Sequence, residues 1–167
     1  MVKKNAVIAA GLSAIIGFFV VYYVFYNEEA KVKRRFKELS ERISKEPDET
    51  KLIAAATINK ITRMIQETIQ VDIPSRSISK TFARKELAAP IYNVRSHYSN
   101  MALRFVDFGI DLSQEGTAAV HVTGNLKGKL LSGESVDETH ELYCLLKKDK
   151  NDEWLFSSIE IVEVLEK

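Results

Sequence analysis

Little in this sequence points to a reaction. One cysteine, Cys144, stands in 167 residues, so no internal disulfide can staple the fold. Three histidines, His97, His121 and His140, lie far apart, and none has metal-ligand spacing with Cys144. No metal and no cofactor is expected. Net charge is scarce too, with 24 Lys and Arg against 23 Asp and Glu. Setting aside Lys3 and Lys4 leaves 22 against 23, a near-neutral balance. Broad nucleic-acid binding needs a net basic face and is excluded as an expectation. No internal repeat and no low-complexity linker divides the chain.

What the chain does have is one long apolar run. Ala6 to Tyr26 carries no charged side chain. About 21 helical residues at ~1.5 Å each span roughly 30 Å, the thickness of a bilayer's hydrocarbon core. A cleaved signal peptide would have a shorter core and small residues at a cleavage site. Here the run ends in Tyr22, Tyr23, Val24, Phe25 and Tyr26, aromatic residues suited to the headgroup interface. Residues 1–27 are therefore expected to be an uncleaved transmembrane anchor, and residues 28–167 one domain. Lys3 and Lys4 favour the N-terminus inside, whereas the cluster Lys31, Lys33, Arg34, Arg35 and Lys37 favours the reverse. The expectation is a single-pass protein of a bacterial inner membrane with a periplasmic domain. The basic cluster then either meets anionic headgroups or is a solvated helix face. Ala9, Ser13 and Gly17 form a small-residue stripe along which two anchors can pack.

About 140 residues follow the anchor, enough for a single core. Helices come first. Val32, Phe36, Leu39 and Ile43 form a stripe on a helix from about Glu28 to Lys45. Pro47 breaks it, and Asp48 is the expected cap of a second helix with Glu49 in its first turn. Ala54, Ile58, Ile61, Ile65 and Ile69 give that helix its apolar face. Gln70 to Phe82 reads as a loop with a short strand. A third helix is expected over about Ala83 to Tyr98, with Leu87, Ile91, Val94 and Tyr98 on one face and a kink at Pro90.

From Met101 the period becomes two. Val106, Phe108, Ile110 and Leu112 alternate, with Asp107 and Asp111 solvated opposite them. In the next strand Ala118, Val120, Val122, Leu126 and Leu130 face one way, and His121, Thr123, Asn125, Lys127 and Lys129 the other. Gly124 and Gly128 fall on the apolar side, where a bend or bulge is permitted. A third strand covers about Glu138 to Lys147. Trp154 opens the last, whose alternation changes phase between Phe156 and Ile159 and so predicts a bulge at Ser157 or Ser158. The fold class is α+β: a transmembrane helix, then about three helices on a bent antiparallel sheet of four main strands.

Three helices followed by a long bent meander resembles the cone-shaped nuclear transport factor 2-like superfamily, which includes SnoaL-like and ketosteroid-isomerase-like proteins. The resemblance rests on Val136-Asp-Glu-Thr-His-Glu-Leu142, Asp152-Glu-Trp-Leu-Phe156 and Ile159-Glu-Ile-Val-Glu-Val-Leu165. The Ser44-Lys-Glu-Pro47 break is similar to that of small membrane-anchored bacterial members. The superfamily holds enzymes, carriers and scaffolds, so the resemblance implies fold and not chemistry.

Two functions stay open. The main expectation is a non-catalytic interaction or scaffold domain at the cell envelope, docking a second copy or an envelope protein through His121, Thr123 and Asn125. The alternative is a small apolar ligand binder or isomerase-like enzyme using the cone, with Tyr98, His140 and Trp154 as pocket candidates and His97 beside them. Isomerase members use carboxylates inside an apolar cone. The apolar face of the Ala118 to Leu130 strand has none. His140 and Cys144 are four strand residues apart, roughly 13 Å, too far for a direct nucleophile–base pair.

Overall fold

The computed structural model describes residues 27–165, with side chains through residue 162. The expected anchor, Ala6 to Tyr26, lies outside them. Among the described residues no helix is long and apolar enough to cross a membrane.

Helix α1 spans Glu28–Ile43. Asn27 caps it by accepting from the amide of Ala30 at 3.3 Å, and Glu28 and Glu29 in its first turn suit the positive end of the helix dipole. The stripe read from the sequence is the buried one: Val32, Phe36 and Leu39 face the sheet. The basic cluster is a charge-paired helix face. Lys31, Lys33, Arg34, Arg35 and Lys37 pair with Glu28, Glu29, Glu38, Glu38 and Glu41 respectively.

The next segment departs from the sequence reading. Helix α2 covers only Lys51–Thr62, and its cap is Thr50, not Asp48. Ile65 and Ile69 belong instead to strand β1, Ile65–Ile73, which turns through Pro74–Arg76 into β2, Ile78–Ala83. The supposed loop is thus a hairpin. Helix α3 is also shorter than expected, Ala88–Ser96. Pro90 falls in its first turn, where a missing N–H is tolerated, so no kink is needed. Val94 is exposed, and the buried position on α3 is Arg95. Its guanidinium donates to the carbonyls of Arg42, Ile43 and Ser44 and to the Glu49 carboxylate, stapling α3 to the C-terminal end of α1.

Strands β3 (Tyr98–Asp111), β4 (Thr117–Leu130), β5 (Ser135–Lys148) and β6 (Trp154–Leu165) form an antiparallel meander. The hairpin joins it through β1, which runs parallel to β6. Six strands, not four, make one mixed sheet in the order β2-β1-β6-β5-β4-β3. The turn between β4 and β5 holds Gly133 at φ +95°, a conformation glycine adopts without strain.

Bulges set which residues face the helices. In β3 the register shifts between Val106 and Gly109, with Asp107 at φ 55°. Val106 therefore turns outward, while Phe108 and Ile110 pack against the core. Leu112 lies beyond the strand and is exposed. Another bulge leaves Ser157 unpaired, as the phase change in β6 predicts. At Gly128 the Asn100 carbonyl of β3 comes so close that a Cβ would lie 2.7 Å from it, so a side chain there would force the strands apart.

Helix α1 lies lengthwise over the inner face of the sheet. Its start meets the Trp154 end, and its last turn meets β3, where Ser40 Oγ donates to the Leu103 carbonyl at 2.7 Å. The centre of the core is aromatic. The Phe36 ring makes edge contacts with Phe105, Phe108 and Phe156, with centroids 5.1–5.3 Å away. Val120, Val122 and Leu146 complete it.

Candidate functional site

The inner face has a closed, well-packed end and an open one, where the His140 and Glu138 side chains are 22% and 50% exposed. At the closed end Trp154 is 4% exposed and its indole N–H donates to the Glu28 carboxylate at 2.9 Å. Lys148 holds the same carboxylate at 3.0 Å and lies over the indole ring. Burial raises the Glu28 pKa, but the hydrogen bonds from Lys31, Lys148 and Trp154 outweigh it and hold the carboxyl below its usual value. Trp154 is accordingly a core residue with its one polar group satisfied.

At the open end the sheet alternation puts Tyr98, Glu138 and His140 on the inner side. The register sequence Phe105–Gly124–His140 runs across three strands, with no side chain on the middle residue. The space of that missing side chain is shared by Leu142 and Phe105. His140 therefore stands beside the aromatic core. Its Nε2 lies 2.9 Å from Glu138 Oε2. A carboxylate only accepts, so Nε2 carries the hydrogen and donates it. Nδ1 is buried and has no partner. Burial, and then the Glu138 charge, push the Tyr98 phenol above its ordinary value. That phenol is a donor at neutral pH.

Two of the three sequence-nominated pocket residues, Tyr98 and His140, thus flank one carboxylate. The third, Trp154, pairs in register with Lys148, eight positions along β5 from His140. His97 caps the end of α3 and points its Nδ1 at the Asn93 carbonyl. Glu138 was not nominated, although it shares its parity with His140 on β5. Cys144 also faces inward, but burial pushes its thiol up to about 12, so it offers no thiolate.

The outer face carries the other three candidates. His121 stacks on Tyr143 with centroids 4.6 Å apart and donates to Glu141 at 3.3 Å. Asn125 accepts from the Thr139 hydroxyl at 2.9 Å, and Thr123 pairs in register with Glu141. His121 and Asn125 thus find side-chain partners across β4 and β5. Beside them lies an open groove of about 620 Å³ lined by Ala119, His121, Tyr143 and Leu145. Tyr143, Leu145 and the outward-turned Val106 are exposed apolar residues of this face. The sequence signal for Tyr143 and Leu145 was their place opposite Cys144 and Leu146. Among the described residues no group of His, Cys, Asp and Glu could hold a metal ion.

No protein-family model matches the chain, and no curated protein matches it. Solved structures do. A scytalone dehydratase-like protein from Novosphingobium aromaticivorans is 13% identical with a TM-score of 0.65, covering 85% of this chain and 89% of that one. A hexachlorocyclohexane dehydrochlorinase from Novosphingobium barchaimii is 9% identical at 0.63, covering 84% and 90%. A protein from Xanthomonas campestris similar to the calcium/calmodulin dependent protein kinase II association domain is 10% identical at 0.62, covering 80% and 86%. At these identities the likeness is one of fold. The fold of this chain is the one those solved structures share.

Proposed function

We propose that this domain binds a small, largely apolar ligand at the open end of its cone. The observation that carries the reading is the His140 Nδ1 atom. It is a buried nitrogen without a partner, an acceptor on the neutral ring, whose other nitrogen is fixed by Glu138. Leaving such an atom unmatched is costly, of order 1–3 kcal/mol, and a ligand hydroxyl or amide N–H would remove that cost. Phe105 and Leu142 give the ligand an apolar wall, and the protonated Tyr98 phenol can donate to a ligand oxygen. The carboxylate–imidazole pair is also the arrangement that takes a proton from an acidic O–H or C–H group. That a dehydratase-like protein and a dehydrochlorinase share the fold supports a ligand-accepting cone over a purely structural one. The aromatic cluster around Phe36 confines the ligand to the mouth. A panel of small cyclic ketones, phenols and alcohols, followed through amide resonances, tests this. Hits should move Tyr98, Leu126 and His140 and be lost in His140→Leu. Hits that move only outer-face amides, or none at all, would sink the proposal.

A second reading rests on the outer face. Exposed Tyr143 and Leu145 beside the paired His121 and Asn125 suit a protein partner, either a second copy or an envelope protein. Under this reading Ala6 to Tyr26 holds the domain at a bacterial inner membrane on the periplasmic side. A reporter active only outside the cytoplasm, fused after Lys167, should then work. A fusion active only inside would invert the topology.

A further inference from the structure

We propose a separate anion site in the cleft between α2 and α3, fitted to a small tetrahedral oxyanion such as a phosphate monoester. The cleft holds about 200 Å³ and is lined by Lys45, Glu49, Lys51, Ile58, Tyr92 and Arg95 among others. Three cations against the one carboxylate leave two positive charges uncompensated, the charge of a phosphate dianion. Arg95 is 3% exposed, yet its Nε has no acceptor. Both Nη atoms are committed, to the carbonyls that end α1 and to Glu49 at 2.5 Å. Nη2 gives a hydrogen to Glu49, and Nε is the arginine nitrogen left with no acceptor. Three donors remain in the lining, on three different residues. They are Nε, the Lys51 ammonium, and the third hydrogen of Lys45, whose other two go to the Arg95 and Tyr98 carbonyls at 3.1 and 2.6 Å. Such a set suits an oxyanion with an oxygen for each.

The helix beside the cleft is built contrary to its dipole. Helix α2 begins with Lys51 and has no acid in its first turn. An anion held there would supply the missing negative charge. Ile58 and the half-exposed Tyr92 ring give the ester's carbon portion an apolar rest.

The test is an inorganic phosphate titration of the full-length chain in nonionic detergent, at fixed ionic strength, read through amide resonances. Saturable shifts are expected at Lys51, Ala54, Tyr92 and Ser96, with acetate several-fold weaker. Lys51→Glu should weaken phosphate binding by roughly tenfold or more, the loss of one charge-assisted contact. The same change places an acid at the start of α2, so the melting temperature should hold or rise. That separates a binding role from a structural one. No saturable shift at those amides overturns the proposal, and so does phosphate binding unchanged in Lys51→Glu. Acetate binding as tightly as phosphate overturns the assignment to a tetrahedral anion.

Discussion

The two ends of the inner sheet face are built from the same alternation and do opposite things with their polar groups. At the Trp154 end each is matched. The indole, Lys148 and Lys31 converge on Glu28, and the carboxyl is held in its charged form. At the Tyr98 end an imidazole nitrogen is buried with nothing to bond. Folding alone does not require such a group, because an apolar residue would fill the position without the desolvation cost. The lesson is that the matched end serves stability, and the unmatched end is where function is sought.

The comparison breaks most visibly at the closed end and the core beside it. Phe36→Ala and Trp154→Ala should each cost roughly 3–5 kcal/mol, a large part of a domain's total of about 5–15 kcal/mol. Chemical denaturation measures both. A nearly unchanged midpoint for Phe36→Ala would mean that the aromatic cluster is not the core.

Glu28 sharpens it next. Its folded pKa is depressed, so its contribution is present above the ordinary value of 4.5 and is lost as pH falls through the lower folded value. Lys148 is the mirror case. Burial lowers its pKa, but Asp152 and Glu28 raise it further, so its contribution is full below 10.5 and fades as pH rises through the folded value. Glu28→Gln should flatten the acid limb of stability below pH 4.5 and leave the ligand-dependent shifts at Tyr98 and His140 intact. An acid limb unchanged by Glu28→Gln would assign that sensitivity to other carboxylates.

His140→Leu carries the opposite expectation. The change removes the ~1–3 kcal/mol cost of the unmatched nitrogen together with the Glu138 hydrogen bond, so stability should hold or rise by up to ~2 kcal/mol while ligand binding is abolished. A loss of several kcal/mol would make His140 a structural residue. The smallest effect belongs to the outer face. Thr123→Glu with Asn125→Glu should keep the fold, at a cost of about 0.5–1 kcal/mol for each change, because Thr123→Glu faces Glu141. If that face docks a partner, self-association or capture should vanish while the circular dichroism spectrum persists.

Much of this architecture was legible from periodicity. The α1 stripe, both faces of β4 and the Ser157 bulge all follow from counting apolar positions. The second helix was overextended for a physical reason. Ile61, Ile65 and Ile69 step by four, which suits one helix face and, being even, one strand face equally well. No Gly or Pro marks the boundary at Thr62. Arg95 was missed although Leu87, Ile91 and Arg95 also step by four, because an arginine on an apolar stripe reads as surface until its acceptors are known. Tyr98 and His140 are legible in the alternation, whereas Glu138 is the first residue of the expected third strand, where no preceding alternation fixes its facing. The outward turn of Val106 depends on the bulge around Asp107, which apolar spacing does not reveal.

The most direct test is a long-range proton–nitrogen spectrum of the histidine side chains at neutral pH, with and without a ligand found in the panel above. The account predicts that His140 carries its hydrogen on Nε2, with Nδ1 bare, and that ligand moves the Nδ1 resonance toward that of a hydrogen-bonded acceptor. A hydrogen on Nδ1 in the free protein, or an Nδ1 resonance that stays fixed when ligand saturates the site, would contradict it.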